Sequence, residues 1–169
     1  MTNTQMPNDI HSDLELEVAG RIGFAWRDMR RGSIASDVRD TIFGVGGSAI
    51  DPGQMDALDL LVTVPSCRMS ELADYLRIDP SSATRAVQRL IKDNLAERVE
   101  HEGDGRVVAI AATERGRKIH EQVSERRREL IFSVLEEFNE TERYQLADLL
   151  ERFVASVDTY VTNKKRRHR

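Results

Sequence analysis

The chain has 169 residues, one cysteine and a formal net charge of −4, with 40% hydrophobic and 32% charged residues. These values indicate a globular protein of one domain, or of one domain with accessory helices, and the acidity of the whole chain gives no sign of nucleic-acid binding. No apolar run approaches the ~20 residues of a membrane span, the polar first residues predict no secretion signal, and a single cysteine excludes an internal disulfide, so we expect a cytoplasmic protein.

The N-terminal part of the chain is predicted to be helical after a disordered tail over residues 1–11. From Ser12 onward, apolar residues recur at spacings of three and four, which is typical of an amphipathic helix. Gly32 is the predicted C-cap of this helix. A second, short helix is predicted over residues 34–43, and the glycines after it predict a flexible break. We assign residues 12–50 to an N-terminal helical dimerisation segment.

Residues 51–112 are predicted to form a winged helix-turn-helix domain. Asp51 and Pro52 are a good N-cap and first residue for one helix, and Ser70 is the predicted N-cap of the next. Asp79 starts a third helix in the same way as Asp51. The hydrophobic period then becomes that of strands, and "AERVEH" and "RVVAIAA", joined by "EGDG", predict a β-hairpin.

Two long amphipathic helices are predicted after the hairpin. Thr113 is the predicted N-cap of the first, and Asn139 and Glu142 have the spacing of a capping box that starts the second. We assign residues 113–162 to a C-terminal helical dimerisation segment and residues 163–169 to a basic tail. The expected fold class is therefore mainly α with a small β-wing, a winged helix-turn-helix core flanked by long dimerisation helices.

The helix that begins at Pro80 separates its apolar side chains from its polar ones at ~100° per residue. As the second helix of a helix-turn-helix it would enter the major groove, with its first residues nearest the bases. Guanidinium, amide and hydroxyl groups hydrogen-bond to base edges, and helix N-terminal amides favour phosphate. The residues of this helix that are predicted to contact DNA are Ser81, Ser82, Thr84, Arg85, Gln88, Arg89 and Lys92.

A solvated amphipathic helix with chance polar residues would show the same pattern, so the hairpin is the second observation that favours DNA. A hairpin directly after the second helix makes a winged helix. Its tip places Arg106 where the guanidinium could reach a narrow, strongly negative minor groove. Asp104 is predicted to accept from that guanidinium and hold it extended.

Several short motifs follow one another in this part of the chain: Glu71-Leu72-Ala73, Asp79-Pro80-Ser81, Thr84-Arg85, Arg89-Leu90, Leu95 with Arg98, Asp104-Gly105-Arg106, and Thr113 with Gly116. In this order they resemble the MarR family of bacterial transcription regulators. The flanking helices match that family only by their layout. Asn94 stands where the family often has glycine, and residues 33–50 are longer and richer in glycine than the family pattern.

The resemblance implies a homodimeric regulator, most often a ligand-responsive repressor, that binds a pseudo-palindromic double-stranded DNA operator. It also implies a small aromatic or phenolic ligand in a cleft between the dimer helices and the DNA-binding lobe. By layout, Trp26, Arg30 and Met55 are predicted to border such a cleft. Packing in a hydrophobic core would explain Trp26 and Met55 equally well.

Other kinds of site have weaker support in the sequence. The histidines at positions 11, 101, 120 and 168 lack metal-ligand spacing, so no metal is expected. Cys67 could be a redox sensor if Arg68 lowers the pKa of its thiol, and the alternative is a small core or loop residue.

No catalytic motif stands out, so neither an enzyme nor a cofactor is expected. "GVGGS" lacks the Lys and Ser/Thr of a phosphate loop, and the adjacent Glu136 and Glu137 diverge on their helix. The remaining alternative is a winged-helix protein-interaction module. Such a module would present aromatic or leucine anchors on the outer face of the 80–92 helix, and this face presents Ser, Thr, Gln and Arg.

Overall fold

The computed structural model describes residues 12–45, 49–101 and 104–167, with the backbone alone for residues 101 and 104–107. The chain divides into two compact units, Met1–Val123 and Ser124–Arg169. The first carries α1 (Asp13–Arg30), α2 (Gly32–Phe43), α3 (Pro52–Leu61), β1 (Cys67–Arg68), α4 (Met69–Leu76), α5 (Pro80–Lys92), β2 (Ala96–His101), β3 (Asp104–Ala112) and the first part of α6 (Glu114–Leu135). The second carries the rest of α6 and α7 (Glu140–Arg167). The predicted fold class, mainly α with a small β-wing, is confirmed.

The two N-terminal helices meet at an extended residue. Ser12 and Glu15 form a capping box that starts α1, with the Ser12 amide donating to the Glu15 carboxylate at 2.7 Å. The prediction that Gly32 is the C-cap of α1 is wrong. Arg31 already turns the chain in an extended conformation, and Gly32 is the first residue of α2, with a φ of +82° that suits glycine. The short helix predicted over residues 34–43 is confirmed as α2, whereas residues 46–48 of the predicted break lie outside the described residues.

The hydrophobic core lies in the first unit. As predicted, Asp51 caps α3 with Pro52 in the first turn, and Gln54 completes a capping box. The apolar face of α3 packs against α4, α5, the sheet and the start of α6. The largest fully buried side chains of this core are Met55, Leu58, Leu61, Leu72, Leu90, Ile110 and Val123. Burial of these side chains holds the elements in place, at about 1.5–3 kcal/mol each.

A short strand that the sequence pattern did not predict sets the start of α4. Cys67 and Arg68 form β1, which pairs antiparallel with β3 in a sheet of order β1-β3-β2. The predicted N-cap at Ser70 is therefore wrong, because α4 begins at Met69, directly after the strand. Arg68 is the N-cap instead, and its amide donates to the Glu71 carboxylate at 2.7 Å. The first helix of the helix-turn-helix is thereby tied to the wing sheet.

The hairpin and α6 leave the core at one junction. Asn94, in the left-handed conformation at φ +57°, directly follows Asp93, the C-cap of α5. The Thr113 amide donates to the Leu95 carbonyl at 3.1 Å, and the Thr113 hydroxyl donates to the Asn94 carbonyl at 2.8 Å. Thr113 also caps α6, as predicted, by accepting from the Gly116 amide at 3.0 Å. The β-hairpin predicted after α5 is confirmed as β2 and β3.

We expect Gly116→Ala to destabilise the first unit, because a Cβ at this position would overlap the carbonyl oxygen of Leu95. Either α6 or the Leu95 backbone must shift, at a cost of about 1–3 kcal/mol. The measurement is the free energy of unfolding in urea. The matched control is Gly23→Ala in α1, where nothing lies within 4 Å of the added methyl, so it should be neutral or stabilising by up to ~1 kcal/mol. Equal unfolding free energies for the two variants would contradict the close approach of Gly116 to the Leu95 carbonyl oxygen.

The second unit consists of the end of α6, a short turn and α7. Asn139 and Glu142 form the predicted capping box, with amide-to-side-chain hydrogen bonds of 2.9 and 3.0 Å. The Arg143 guanidinium donates to the carbonyls of Leu135 and Phe138 and so satisfies the end of α6. The segment assigned to a basic tail begins inside α7, which continues to Arg167. Lys and Arg are good helix formers, and their charges are favoured at a helix C-terminus.

Candidate nucleic-acid interface

A helix, a tight turn and a second helix form the centre of the interface. The helix α4 ends at Leu76 with Arg77, a left-handed residue, as its C-cap, and the Ile78 amide donates back to the Ala73 carbonyl at 3.1 Å. This closure is typical of a helix C-terminus and redirects the chain into α5. On α5, Ala83, Ala86, Val87 and Leu90 are buried. The opposite side of α5 is exposed, as the sequence pattern predicted.

The first turn of α5 is organised by the carboxylate of Asp79. One oxygen accepts from the Ser81 and Ser82 amides, at 3.0 Å each, and from the Ser81 hydroxyl at 2.6 Å. The other oxygen accepts from the Ser82 hydroxyl, also at 2.6 Å. The side-chain bonds from Ser81 and then Ser82 lower the pKa of Asp79 far below its ordinary value. The carboxylate is therefore charged at every pH used for DNA binding.

These bonds change the chemistry expected of the first turn. The amides of Ser81 and Ser82 already donate to a carboxylate, so their contact with a DNA phosphate, which stays a prediction, would compete with Asp79. The Thr84 hydroxyl also donates internally, to the Pro80 carbonyl at 2.8 Å. A hydroxyl has one proton to donate and two lone pairs that accept. All three hydroxyls therefore face outward as acceptors only, and Thr84 adds a methyl group.

The exposed side of α5 carries an unpaired cationic and amide surface. Arg85, Gln88, Arg89 and Lys92 are exposed and line one shallow depression of about 490 Å³. None of the four side chains makes a hydrogen bond or ion pair with any described residue. The structure thus brings these four predicted residues together, and all their donors face solvent.

A polar contact that was not predicted from the sequence fixes the far end of α5. The buried Gln54 side chain donates to the Asp93 carboxylate at 2.8 Å and accepts from the Asp51 amide at 3.3 Å. The α3 N-terminus is thereby joined to the C-cap of α5. The Asp-x-x-Gln spacing of a capping box would have indicated Gln54, whereas no local pattern indicates Asp93 as its partner.

A groove of about 260 Å³ separates α5 from the wing sheet. Its lining residues are Met69, Thr84, Val87, Gln88, Arg98, Val108 and Ile110. Arg98, which forms a family motif with Leu95, is an exposed cation in this groove. Because it shares this groove with Thr84 and Gln88, it extends the donor surface of α5 toward the wing.

The wing residues are placed by their backbone only. Asp104 begins β3, and its Cα pairs with that of His101 next to the hairpin tip. Arg106 follows two residues later in the same strand. The contact predicted between the two side chains lies outside the described residues and stays a prediction.

The residues expected to border a ligand cleft are not all accessible. Met55 has no exposed surface and packs in the core. Trp26 is half-buried on α1, where the Arg30 guanidinium lies 5.6 Å from the centre of a Trp26 ring. The structure therefore brings together Trp26 and Arg30, while Met55 has the core position that the alternative interpretation gave it.

Cys67 is buried, which agrees with its interpretation as a small core residue. Burial, and then the negative charge of Glu71, raise the pKa of the Cys67 thiol instead of lowering it. No group of three or more His, Cys, Asp and Glu residues in the described part of the chain could hold a metal ion. No described helix is long and apolar enough to cross a membrane.

A cationic recognition helix, packed behind a short helix and followed by a β-hairpin, defines a winged helix-turn-helix protein. A sequence profile described as "MarR family" matches residues 50–107. The chain is 33% identical over 101 residues to the HTH-type transcriptional regulator BilQ of Clostridium symbiosum, covering 60% of this chain and 70% of BilQ. The chain belongs to the MarR family.

One further relative agrees with this assignment, and one solved structure shares the fold. The HTH-type transcriptional repressor MdtR of Bacillus subtilis is 27% identical over 110 residues, covering 65% of this chain and 71% of MdtR. FabT of Streptococcus pneumoniae, solved in complex with DNA, shares the fold with a TM-score of 0.68 at 17% identity, covering 85% of this chain and 96% of that one. The protein is a DNA-binding transcriptional regulator, and the expectation that it is not an enzyme agrees with its family.

Proposed function

We propose that this protein is a homodimeric repressor that binds a pseudo-palindromic operator in the cytoplasm and responds to a small molecule. The observation that carries the DNA-binding part is the unpaired donor face of α5. Four exposed side chains that have no partner among the described residues lie on a helix that is buried on its other side and fixed at its end by Gln54. The FabT complex with DNA and the name of MdtR as a repressor support this proposal.

The exposed apolar residues of α1 and α7 support the homodimer. Neither helix buries a single side chain in the isolated chain. The large apolar side chains that are left exposed on them are Leu14, Leu16, Val18, Ile22, Phe24, Met29, Tyr144, Leu149, Leu150, Val154, Tyr160 and Val161. Stripes of this extent need a partner surface, and a second copy in two-fold symmetry is the commonest one.

The contacts with DNA divide by chemistry along α5. Arg85 and Gln88 read base edges, since guanidinium grips guanine and a side-chain amide grips adenine through two hydrogen bonds. Arg89 and Lys92 contact phosphates. Ser81, Ser82 and Thr84 lie nearest the bases as acceptors. Arg106, supported by Asp104, reaches the neighbouring minor groove from the wing.

The ligand is proposed to be a small aromatic acid or phenol. Trp26 and Arg30 offer an aromatic ring beside a cation. The groove between α5 and the sheet offers apolar walls with one guanidinium, that of Arg98, and a molecule bound there would touch Thr84 and Gln88 directly. A ligand that binds the DNA-incompetent state better would release the operator. Redox control through Cys67 has less support, because its thiol is buried with a raised pKa.

Selection from duplexes with a randomised centre tests this proposal. We expect enrichment of two inverted half-sites whose centres are about one duplex turn, or ~34 Å, apart, with one dimer bound per duplex. Fluorescence anisotropy on the selected duplex, with an unselected duplex of the same length as control, measures the specificity. Benzoate or phenol should lower occupancy of the selected duplex. Enrichment of single half-sites would contradict operator binding by a homodimer. The absence of any enrichment would contradict sequence-specific binding.

A further inference from the structure

The start of α5 presents no hydrogen-bond donor toward DNA, and this has one main cause. Asp79 takes four donors: the amides and the hydroxyls of Ser81 and Ser82. Thr84 is different, because its hydroxyl donates to the carbonyl four residues earlier in its own helix, as serine and threonine often do within helices. Asp79 alone determines which groups the two serines can offer to a ligand.

The carboxylate also changes the electrostatics of this end of the helix. A helix N-terminus carries about half a positive charge, which favours anions. Here a full negative charge occupies that place, and the first cation of α5 is Arg85, more than one turn later. A DNA phosphate would meet a carboxylate and outward-facing lone pairs. The first turn of α5 is therefore a poor phosphate site, although the type of residues alone suggests a good one.

We propose that Asp79 is a specificity-determining positioning residue, which directs the first turn of α5 to base amino groups by turning the serine hydroxyls into obligate acceptors. In the major groove the groups that donate are adenine N6 and cytosine N4, while guanine O6, the N7 atoms and thymine O4 accept. An acceptor-only turn favours an adenine or a cytosine at the position that it faces. Ser82 is the reader in this scheme and Asp79 acts through it. This inference rests on the proposed operator binding.

The asparagine variant Asp79→Asn separates capping from hydroxyl orientation. Asn caps helices about as well as Asp, and its carbonyl oxygen can still accept from the two amides and the Ser81 hydroxyl. Its amide nitrogen, in place of the second carboxylate oxygen, would donate to the Ser82 oxygen and release the Ser82 proton outward. The variant thus reverses the polarity of one hydrogen bond and removes one negative charge, while the fold is kept.

Selection from randomised duplexes, run in parallel on the parent and on Asp79→Asn, reads out the effect. We expect one position per half-site to lose its preference for adenine or cytosine by about five- to tenfold, a typical single-position penalty. Affinity for unselected DNA should rise. The matched control is Asp74→Asn, which removes an exposed carboxylate from α4 and should raise nonspecific affinity without changing the selected sequence. In a Ser82→Ala background, Asp79→Asn should no longer change the preference.

The outcomes are distinguishable. If Asp79→Asn selects the parent sequence and behaves like Asp74→Asn, Asp79 is only a cap and the inference is overturned. If Asp79→Asn fails to fold by circular dichroism, Ser82→Ala alone decides, since it should weaken the same base preference, and an unchanged preference would overturn the inference. If the parent itself enriches no sequence, the operator binding of the proposed function fails instead.

Discussion

We expect Leu149→Asp to dissociate the dimer and, with it, to abolish operator binding at concentrations where the parent saturates. Leu149 lies in the apolar stripe of α7 and is 57% exposed in the isolated chain. In a two-fold interface the substitution places two carboxylates in an apolar contact. A buried charge without a partner costs on the order of 3–5 kcal/mol, so the dimer dissociation constant should rise by at least about a thousandfold. Sedimentation equilibrium measures that constant, and anisotropy measures operator binding.

The control for this variant is another aspartate on the same helix. Ala155 is exposed and lies six residues from Leu149, about 240° around the helix and away from Leu150 and Val154. Ala155→Asp should leave both dimerisation and operator binding unchanged. Circular dichroism should show both variants folded, because neither side chain is buried within the chain. A parent protein that stays monomeric at micromolar concentration would disprove the dimer.

Arg85→Ala should lower operator affinity by about 1–3 kcal/mol and relax the preference at one base position. Lys92→Ala should instead weaken binding to all sequences to a similar extent and reduce the slope of log affinity against log salt by about 0.9 per lost phosphate contact. Neither variant should change the free energy of unfolding, because both side chains are exposed and make no bond to any described residue. Salt titrations on selected and unselected duplexes separate the two effects.

Lys118→Ala is the control for loss of one positive charge. Lys118 is exposed on α6 and lies 3.8 Å from Glu114 in an i,i+4 pair, so its removal should change the net charge without changing sequence preference or salt slope. If Arg85→Ala and Lys92→Ala both bind the operator and random DNA as the parent does, α5 is not the recognition helix.

The parts of the fold that follow local rules were predictable. Asp51 before Pro52, Asp79 before Pro80 and Thr113 each start a helix where the sequence indicates it, because capping depends on neighbours within three residues. Ser70 has the same composition signal and fails. The pairing of Cys67 with Ile110 extends the strand to the edge of α4 and leaves Ser70 inside the helix. That pairing joins residues far apart in sequence, which no local window contains.

The candidate site was predictable to a similar depth. Helical periodicity placed Arg85, Gln88, Arg89 and Lys92 on the exposed side of α5, and the structure confirms their exposure. Helical periodicity could not show that the Gln54 side chain donates to the Asp93 carboxylate, 39 residues further along the chain. It also could not show which way a hydroxyl proton points. That direction depends on competition between Asp79, the backbone and water, which the identity of a serine does not determine.

The hairpin leaves the core and returns to it at a single point. At the base of the hairpin, Ala96 pairs with Ala112, and Thr113 donates hydrogen bonds to the carbonyls of Asn94 and Leu95. These contacts fix the positions of α5 and α6 independently of the length of the wing. Lengthening a loop whose ends are already fixed costs little, about 0.6 kcal/mol for each doubling. Insertions and deletions at the tip can therefore accumulate during evolution without disturbing the recognition helix. If the wing contacts DNA as proposed, the length of DNA that the protein covers can diverge separately from the bases that α5 contacts.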